Sequence, residues 1–172
     1  SSVMVSFNNP LGEQQEVNPL AFSKRLKDAA VDYDIIGLQY LYNGLNRERK
    51  VVQSKRSLSA IAQSLKDFAL LGKDIHITGV SVPSQSPLTG KNATGYWGRK
   101  WSPELQSAYM RAFYVLAYAS PAVRAIVWQG ATDGDSEVDF GGLMTRPGST
   151  KASFHTLREL LTRWTSRGDA EV

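Results

Sequence analysis

Apolar and polar positions alternate between two periods along this chain. Strand-length apolar runs recur at Val3 to Phe7, Asp34 to Leu41, Asp74 to Val82 and Ala122 to Trp128. Ile35-Ile36-Gly37-Leu38 has no polar interruption, which is how strands covered on both faces read. Helical spacing fills the intervals. Asn18 to Asp32 brings Leu20, Leu26 and Ala30 near one face. Ser57 to Leu71 puts Leu58, Ile61, Ala62, Leu65, Phe68 and Ala69 on one stripe, and Gly72 follows where a helix stops. Ser102-Pro103-Glu104 opens a long helix: serine caps it, proline suits its first turn, and glutamate favours the positive end of its dipole. Its apolar face is Leu105, Ala108, Tyr109, Ala112, Phe113 and Leu116. Lys151 to Arg167 is the last helix, with Phe154, Leu157, Leu160, Leu161 and Trp164 inward.

The pattern is α/β: four consecutive βα units, which implies parallel strands and right-handed crossovers. Two architectures fit, an open doubly wound sheet or part of an eight-fold β/α barrel. A whole barrel takes about 250 residues, so a chain of 172 residues is read as one domain, residues 1–172, holding half of one. The first strand begins at Val3, as at a boundary between units. Connections after helices are short, Gly72-Lys73 and Ser120-Pro121, whereas those after strands are long: Leu41 to Arg56, Pro83 to Trp101 and Gln129 to Thr150. In both architectures ligands bind among the loops at the carboxyl ends of the strands.

Those strand ends and loops carry Asn8, Asn9, Gln39, Tyr40, Tyr42, Asn43, Gln85, Asn92, Tyr96, Trp97, Trp101, Gln129, Asp133, Asp135 and Glu137. Aromatic rings, amides and carboxylates together suit sugars, whose C–H faces stack on rings and whose hydroxyls need convergent donors and acceptors. Trp97 and Trp101 read equally as a sugar platform or as pins for a long loop. Glycine-rich phosphate loops are absent, which argues against a nucleotide site. There is no cysteine, hence no disulfide or thiolate chemistry. His76, between Ile75 and Ile77, reads as a hydrogen-bonded histidine between sheet and helix, and His155 as a surface residue. Two distant histidines make no metal site, and no cofactor is expected. The net charge is +4. Its only clusters, Arg47 to Lys50 and Lys55-Arg56, read as solvated loop rather than a nucleic-acid patch. No run approaches the roughly 18 apolar residues of a membrane span. Asn92-Ala93-Thr94 fits the N-glycosylation pattern.

Four strand ends, in order, resemble family-10 glycoside hydrolases, the β-1,4-xylanase (β/α)8 barrels. Val5-Ser6-Phe7-Asn8-Asn9 resembles their fifth strand, which often ends Y-N-D-Y. Asp34-Ile35-Ile36-Gly37-Leu38-Gln39 resembles the sixth. Phe68 to Ser81 is similar to the seventh helix-to-strand passage, commonly LG-x-x-I-x-I-T-E-L-D. Val127-Trp128-Gln129-Gly130-Ala131-Thr132-Asp133 resembles the eighth-strand signature W-G-x-x-D-x-x-S-W. The resemblance covers the carboxyl half of such a barrel. It implies endo-acting, retaining polysaccharide degradation, a secreted or periplasmic location, and Asn8, Gln39, Trp128 and Asp133 as cleft-lining positions. Tyr40, Tyr42, Trp97 and Trp101 complete the expected substrate-binding set.

The departures decide the expectation. Gly79 occupies the place of the nucleophile glutamate of I-T-E, Ser81 replaces the aspartate that follows, Leu41 or Tyr42 stands for a histidine, and Glu137 lies near the second tryptophan of the eighth-strand signature. The acid/base glutamate belongs to the fourth strand, outside this sequence. Retaining hydrolysis needs two carboxyl groups about 5 Å apart, and glycine offers none. Glu13, Asp133, Asp135 and Glu137 read as solvated loop carboxylates. The expectation is a xylanase-like domain without hydrolysis: a carbohydrate-binding pseudoenzyme, or an excised or engineered half of a working xylanase with its nucleophile deleted. A flavodoxin-like domain is the remaining alternative. As half a barrel it has two open edges, so it is expected to self-associate or to pair with the missing half.

Overall fold

Three helices start where a side chain captures the amide three residues on. Asn18 Oδ1 accepts from the Ala21 N–H (3.1 Å), Ser57 Oγ from Ala60 (3.1 Å) and Ser102 Oγ from Leu105 (3.2 Å), each satisfying a donor that the first helical turn leaves unpaired. The computed structural model describes residues 2–12, 18–42, 57–86 and 95–165. These capped helices are α1 (Pro19–Asp28), α2 (Leu58–Ala69) and α3 (Pro103–Tyr118), and a fourth, α4, runs Ala152–Thr165. They alternate with strands β1 (Met4–Phe7), β2 (Ile35–Leu41), β3 (Asp74–Ser81) and β6 (Val123–Trp128), which form one parallel sheet in the order β1-β2-β3-β6. The predicted four βα units are all present. A two-residue-stranded hairpin, β4 (Gly95–Tyr96) and β5 (Arg99–Lys100), stands inside the loop between β3 and α3. Strands of two residues leave no periodic trace, and from Pro83 to Trp101 the sequence shows only loop.

The sheet has two unlike faces. Ile36, Leu38, Tyr40, Ile75, Ile77 and Val80 face the helices and are essentially fully buried, packed with Ile61, Leu65 and Phe68 of α2 and with Leu105, Tyr109 and Phe113 of α3. The α3 stripe is wider than predicted. Gln106, Met110, Tyr114 and Ala117 are buried as well, while Ala108 is exposed. The reason is that α3 packs against α4 as well as α2, so a second side of it is covered.

The other face is the inner one. Met4 and Ser6 lie on it, since a Cβ at Gly37 would meet Ser6 Oγ at 2.7 Å and Met4 Sδ at 3.1 Å. His76 is registered with Gly37 and Ala125, which places it on this inner face. The expected position between sheet and helix is therefore wrong: Ile75 and Ile77 take the helix side, and alternation sends His76 the other way.

One irregularity sets what reaches the inner face. Leu38 pairs with Ile77 but Gln39 pairs with Gly79, so Thr78 is an extra residue. The same residue is in excess against β6, where Ile77 pairs with Ile126 and Val80 with Trp128. A β-bulge of this kind reverses the alternation beyond it. Without it residue 79 would point into the helix layer; with it, residue 79 shares the inner face with Gln39.

Buried phenols are expected to make the fold sensitive to alkali. Burial pushes the Tyr114 hydroxyl far above the ordinary range of a phenol, against a smaller opposing pull from its hydrogen bond to the Trp128 backbone. Tyr33 and Tyr42 are raised too, chiefly by burial. In each case the folded state keeps a proton that the unfolded chain loses near pH 10. The contribution is complete below that pH and declines above it. Thermal unfolding followed by circular dichroism from pH 8 to 11 is expected to show a melting temperature that falls above about pH 10. Tyr114→Phe is expected to flatten that fall, and an equally steep fall in this variant would refute the assignment.

Candidate functional site

Four residues at the carboxyl ends of the sheet strands form a row on the inner face. Gln39 and Gly79 are registered partners. A Cβ placed on Gly79 would lie 3.1 Å from Gln39 Cγ, 3.2 Å from Gln39 Nε2 and 3.6 Å from Gln129 Cβ. Gln129 is the first residue beyond β6, held by its N–H donating to the Val80 carbonyl at 2.9 Å. Asn8 is one residue past the last registered pair of β1, Phe7 with Leu38. By alternation it continues the side of Met4 and Ser6, and it is exposed. The row reads amide, amide, gap, amide. Gln129 is further fixed because its Oε1 accepts from the Glu137 N–H (3.1 Å) and from Ser136 Oγ (3.4 Å).

Of the residues expected at the site, Asn8, Gln39 and Gly79 fall in this row. In the sequence Gln129 reads only as loop content. Its signal is positional, since it follows its strand as Asn8 follows β1. Tyr40 lies elsewhere. It is 1% exposed, its hydroxyl pairs with Ser64 Oγ of α2 at 3.2 Å, and its ring meets Phe113 at 5.8 Å. Trp128 is buried too, registered with Val80 and donating from Nε1 to the Gly141 carbonyl at 3.0 Å.

Tyr42 and Trp101 belong to an aromatic cluster that seats the hairpin. Trp101 is 5% exposed and meets Tyr42 edge-on at 4.9 Å and Tyr109 at 6.1 Å. The Tyr42 hydroxyl donates to the Gly95 carbonyl at 3.4 Å, and the Leu58 N–H donates to the Tyr96 hydroxyl at 2.8 Å. Of the two tryptophans that read equally as platform or pin, Trp101 is the buried one and Trp97 the exposed one.

Asp133 is taken up by structure. Its Oδ1 accepts from Lys151 Nζ in an ion pair and from the Gly142 N–H at 3.0 Å. Lys151 is 7% exposed and also donates to Ser84 Oγ (2.9 Å) and the Phe140 carbonyl (3.1 Å). Phe140 has a left-handed φ of 57°, and its carbonyl accepts the Ser84 amide and hydroxyl as well. This hub ties the segment after β3, the loop after β6 and the start of α4 together.

Asp135 Oδ2 accepts from Thr132 Oγ1 at 2.8 Å, and Glu137 is exposed on the same loop. The atoms nearest the space at Gly79 come from the two glutamines, not from a carboxylate. Among the described residues no group of three His, Cys, Asp or Glu side chains is placed to hold a metal, and no helix is long and apolar enough to cross a membrane. Glu13, Asn43, Asn92 with its glycosylation pattern, and the basic clusters at Arg47 to Lys50 and Lys55-Arg56 lie outside the described residues.

No protein-family model matches this sequence, and no curated protein matches it. Its fold, however, is similar to solved xylanase structures. A GH10 endoxylanase from a sugarcane soil metagenome superposes with a TM-score of 0.65 at 14% identity, over 93% of this chain and 49% of that one. A GH10 structure from Paenibacillus barcinonensis gives a TM-score of 0.65 at 15% identity, over 98% and 48%. The Clostridium thermocellum endo-1,4-beta-D-xylanase 10B, solved as CBM22-1-GH10 modules with xylohexaose, gives 0.65 at 13%, over 95% and 30%. The chain thus spans about half the length of the first of these barrels or less. Its four βα units have the fold of that part of a TIM barrel.

Proposed function

We propose that the strand-end rim of this half-barrel holds a β-1,4-linked plant polysaccharide and does not cleave it. The observation that carries this reading is the row Asn8, Gln39, Gly79, Gln129. Amides both donate and accept, and so match sugar hydroxyls, while the gap at Gly79 offers no attacking oxygen. A retaining glycosidase needs two carboxyl groups about 5 Å apart. The likeness in fold to xylanases, one of them holding xylohexaose, supports the choice of ligand.

A second reading is an excised or engineered half of a working xylanase. It draws on β1 and β6, which are the edges of the sheet among the described residues, and on Met4 and Val127, which are 45% and 50% exposed. Such edges and apolar positions call for a covering partner: the missing half-barrel, or a second copy of this chain.

Calorimetric titration with xylohexaose, with reducing sugar assayed in parallel, tests the first reading. Binding without sugar release is expected. Gln39→Ala and Gln129→Ala are each expected to weaken binding about fivefold, the loss of on the order of 1 kcal/mol for a hydrogen bond. Xylan hydrolysis at an ordinary xylanase rate, or no binding at all, would refute it. Hydrolysis gained by Gly79→Glu together with an added amino-terminal half-barrel would favour the second reading.

A further inference from the structure

The tip of the β4–β5 hairpin carries a tryptophan where the backbone disfavours one. Gly95 pairs with Lys100 and Tyr96 with Arg99, which leaves Trp97-Gly98 as a two-residue turn. Both have positive φ, 51° and 69°, the pattern of a type I′ turn, in which Asn-Gly is preferred. A bulky side chain in the left-handed region is strained, and such strain concentrates at functional sites. Trp97 is also 54% exposed, so it gains little burial in return.

The hairpin that presents it is firmly seated. Tyr96 packs edge-on against Tyr109 at 5.1 Å, its hydroxyl holds the first turn of α2, and Tyr42 reaches Gly95 from the end of β2. The tip therefore stands at the same end of the sheet as the amide row. The Trp97 ring meets the Tyr96 ring at 4.7 Å. Arg99 is directly across the ladder from Tyr96, so its side chain leaves the hairpin on the Tyr96 face. Arg99 is exposed, and its charge also acts on Glu104. The hairpin thus presents an indole at its tip and a guanidinium on the face of its Tyr96. An indole face stacks on a pyranose, and a guanidinium takes a carboxylate through two parallel hydrogen bonds.

We propose that Trp97 and Arg99 form a binding site for a uronic-acid unit of the glycan, a sugar ring that bears a carboxylate. This rests on the sugar-binding reading above and names the class of unit its outer edge selects. The test is calorimetry at 20 mM and 300 mM NaCl with two probes, neutral xylohexaose and a glucuronic-acid-substituted xylo-oligosaccharide. The acidic probe is expected to bind at least tenfold tighter at low salt, with the margin shrinking at high salt. Arg99→Gln is expected to abolish the margin and leave xylohexaose binding intact. Trp97→Asn suits the turn better, so it is expected to keep or raise the melting temperature while weakening the acidic probe at least tenfold. Equal affinity of the two probes for the parent protein, or full affinity of Trp97→Asn for the acidic probe, overturns the proposal. If xylohexaose still binds and Gln39→Ala still weakens it, only the hairpin site fails. If neither probe binds the parent, the sugar-binding reading fails with it.

Discussion

Replacing Lys151 with methionine is expected to destabilise the fold by about 3–5 kcal/mol, the cost of leaving a buried charge without its partner. Asp133 has a side chain 11% exposed, and Lys151 is the cation paired with it. Ser84 Oγ loses the Lys151 donor at the same time, while the Phe140 carbonyl keeps the Ser84 amide and hydroxyl. Urea unfolding of the single and double variants measures the effect. Lys151→Met with Asp133→Asn is expected to recover most of the loss, because asparagine still accepts from the Gly142 amide and no buried charge remains. A single-variant loss under about 1 kcal/mol would show the pair to be solvent-screened. A double variant as unstable as the single would show that charge is not the cause.

Phe113→Ala is expected to cost a similar amount, about 3–5 kcal/mol, for a different reason. Phe113 is 0% exposed at the centre of the helix-side core. Its ring lies 5.8 Å from Tyr40, 6.3 Å from Tyr109 and 6.4 Å from Tyr114. Two of these neighbours hydrogen-bond across the layer, Tyr40 to Ser64 and Tyr114 to the Trp128 backbone, which limits how far they can move into the cavity. The midpoint of denaturant unfolding is expected to fall with the m-value unchanged. Phe113→Leu keeps much of the volume and is expected to lose well under half as much. Equal losses for the two variants would point to the ring edges rather than the cavity.

The two variants also mark what was legible beforehand. Phe113 repeats at helical spacing with Leu105, Tyr109 and Leu116, and periodicity reports burial directly. Lys151 reads as the first residue of a surface helix. Its partner Asp133 lies 18 residues away, and nothing local marks either one as buried. For the same reason Asp133 reads as a solvated loop carboxylate, and by the family resemblance as a cleft one, although its side chain is engaged in the hub. Tyr40 is a different case: it continues the alternation of Ile36 and Leu38 onto the helix side, as Trp128 continues that of Ile126. What no pattern in the sequence announces is the extra residue Thr78 in β3, which turns Gly79 to the inner face.

By itself the sequence determined the order of strands and helices, the helix starts at Asn18, Ser57 and Ser102, the glycine at residue 79 and the strand ends that bear Asn8 and Gln39. Short-range physics governs these, through apolar period, side-chain capture of nearby amides and the absence of a side chain. The tertiary structure alone decided that Gly79 shares the inner face with Gln39 and Gln129, that Trp101 is buried while Trp97 is displayed, and that Lys151 is buried against Asp133. Each of these depends on which residues meet across the sheet or between loops far apart in the chain, and register and long-range contact exist only once the chain has folded.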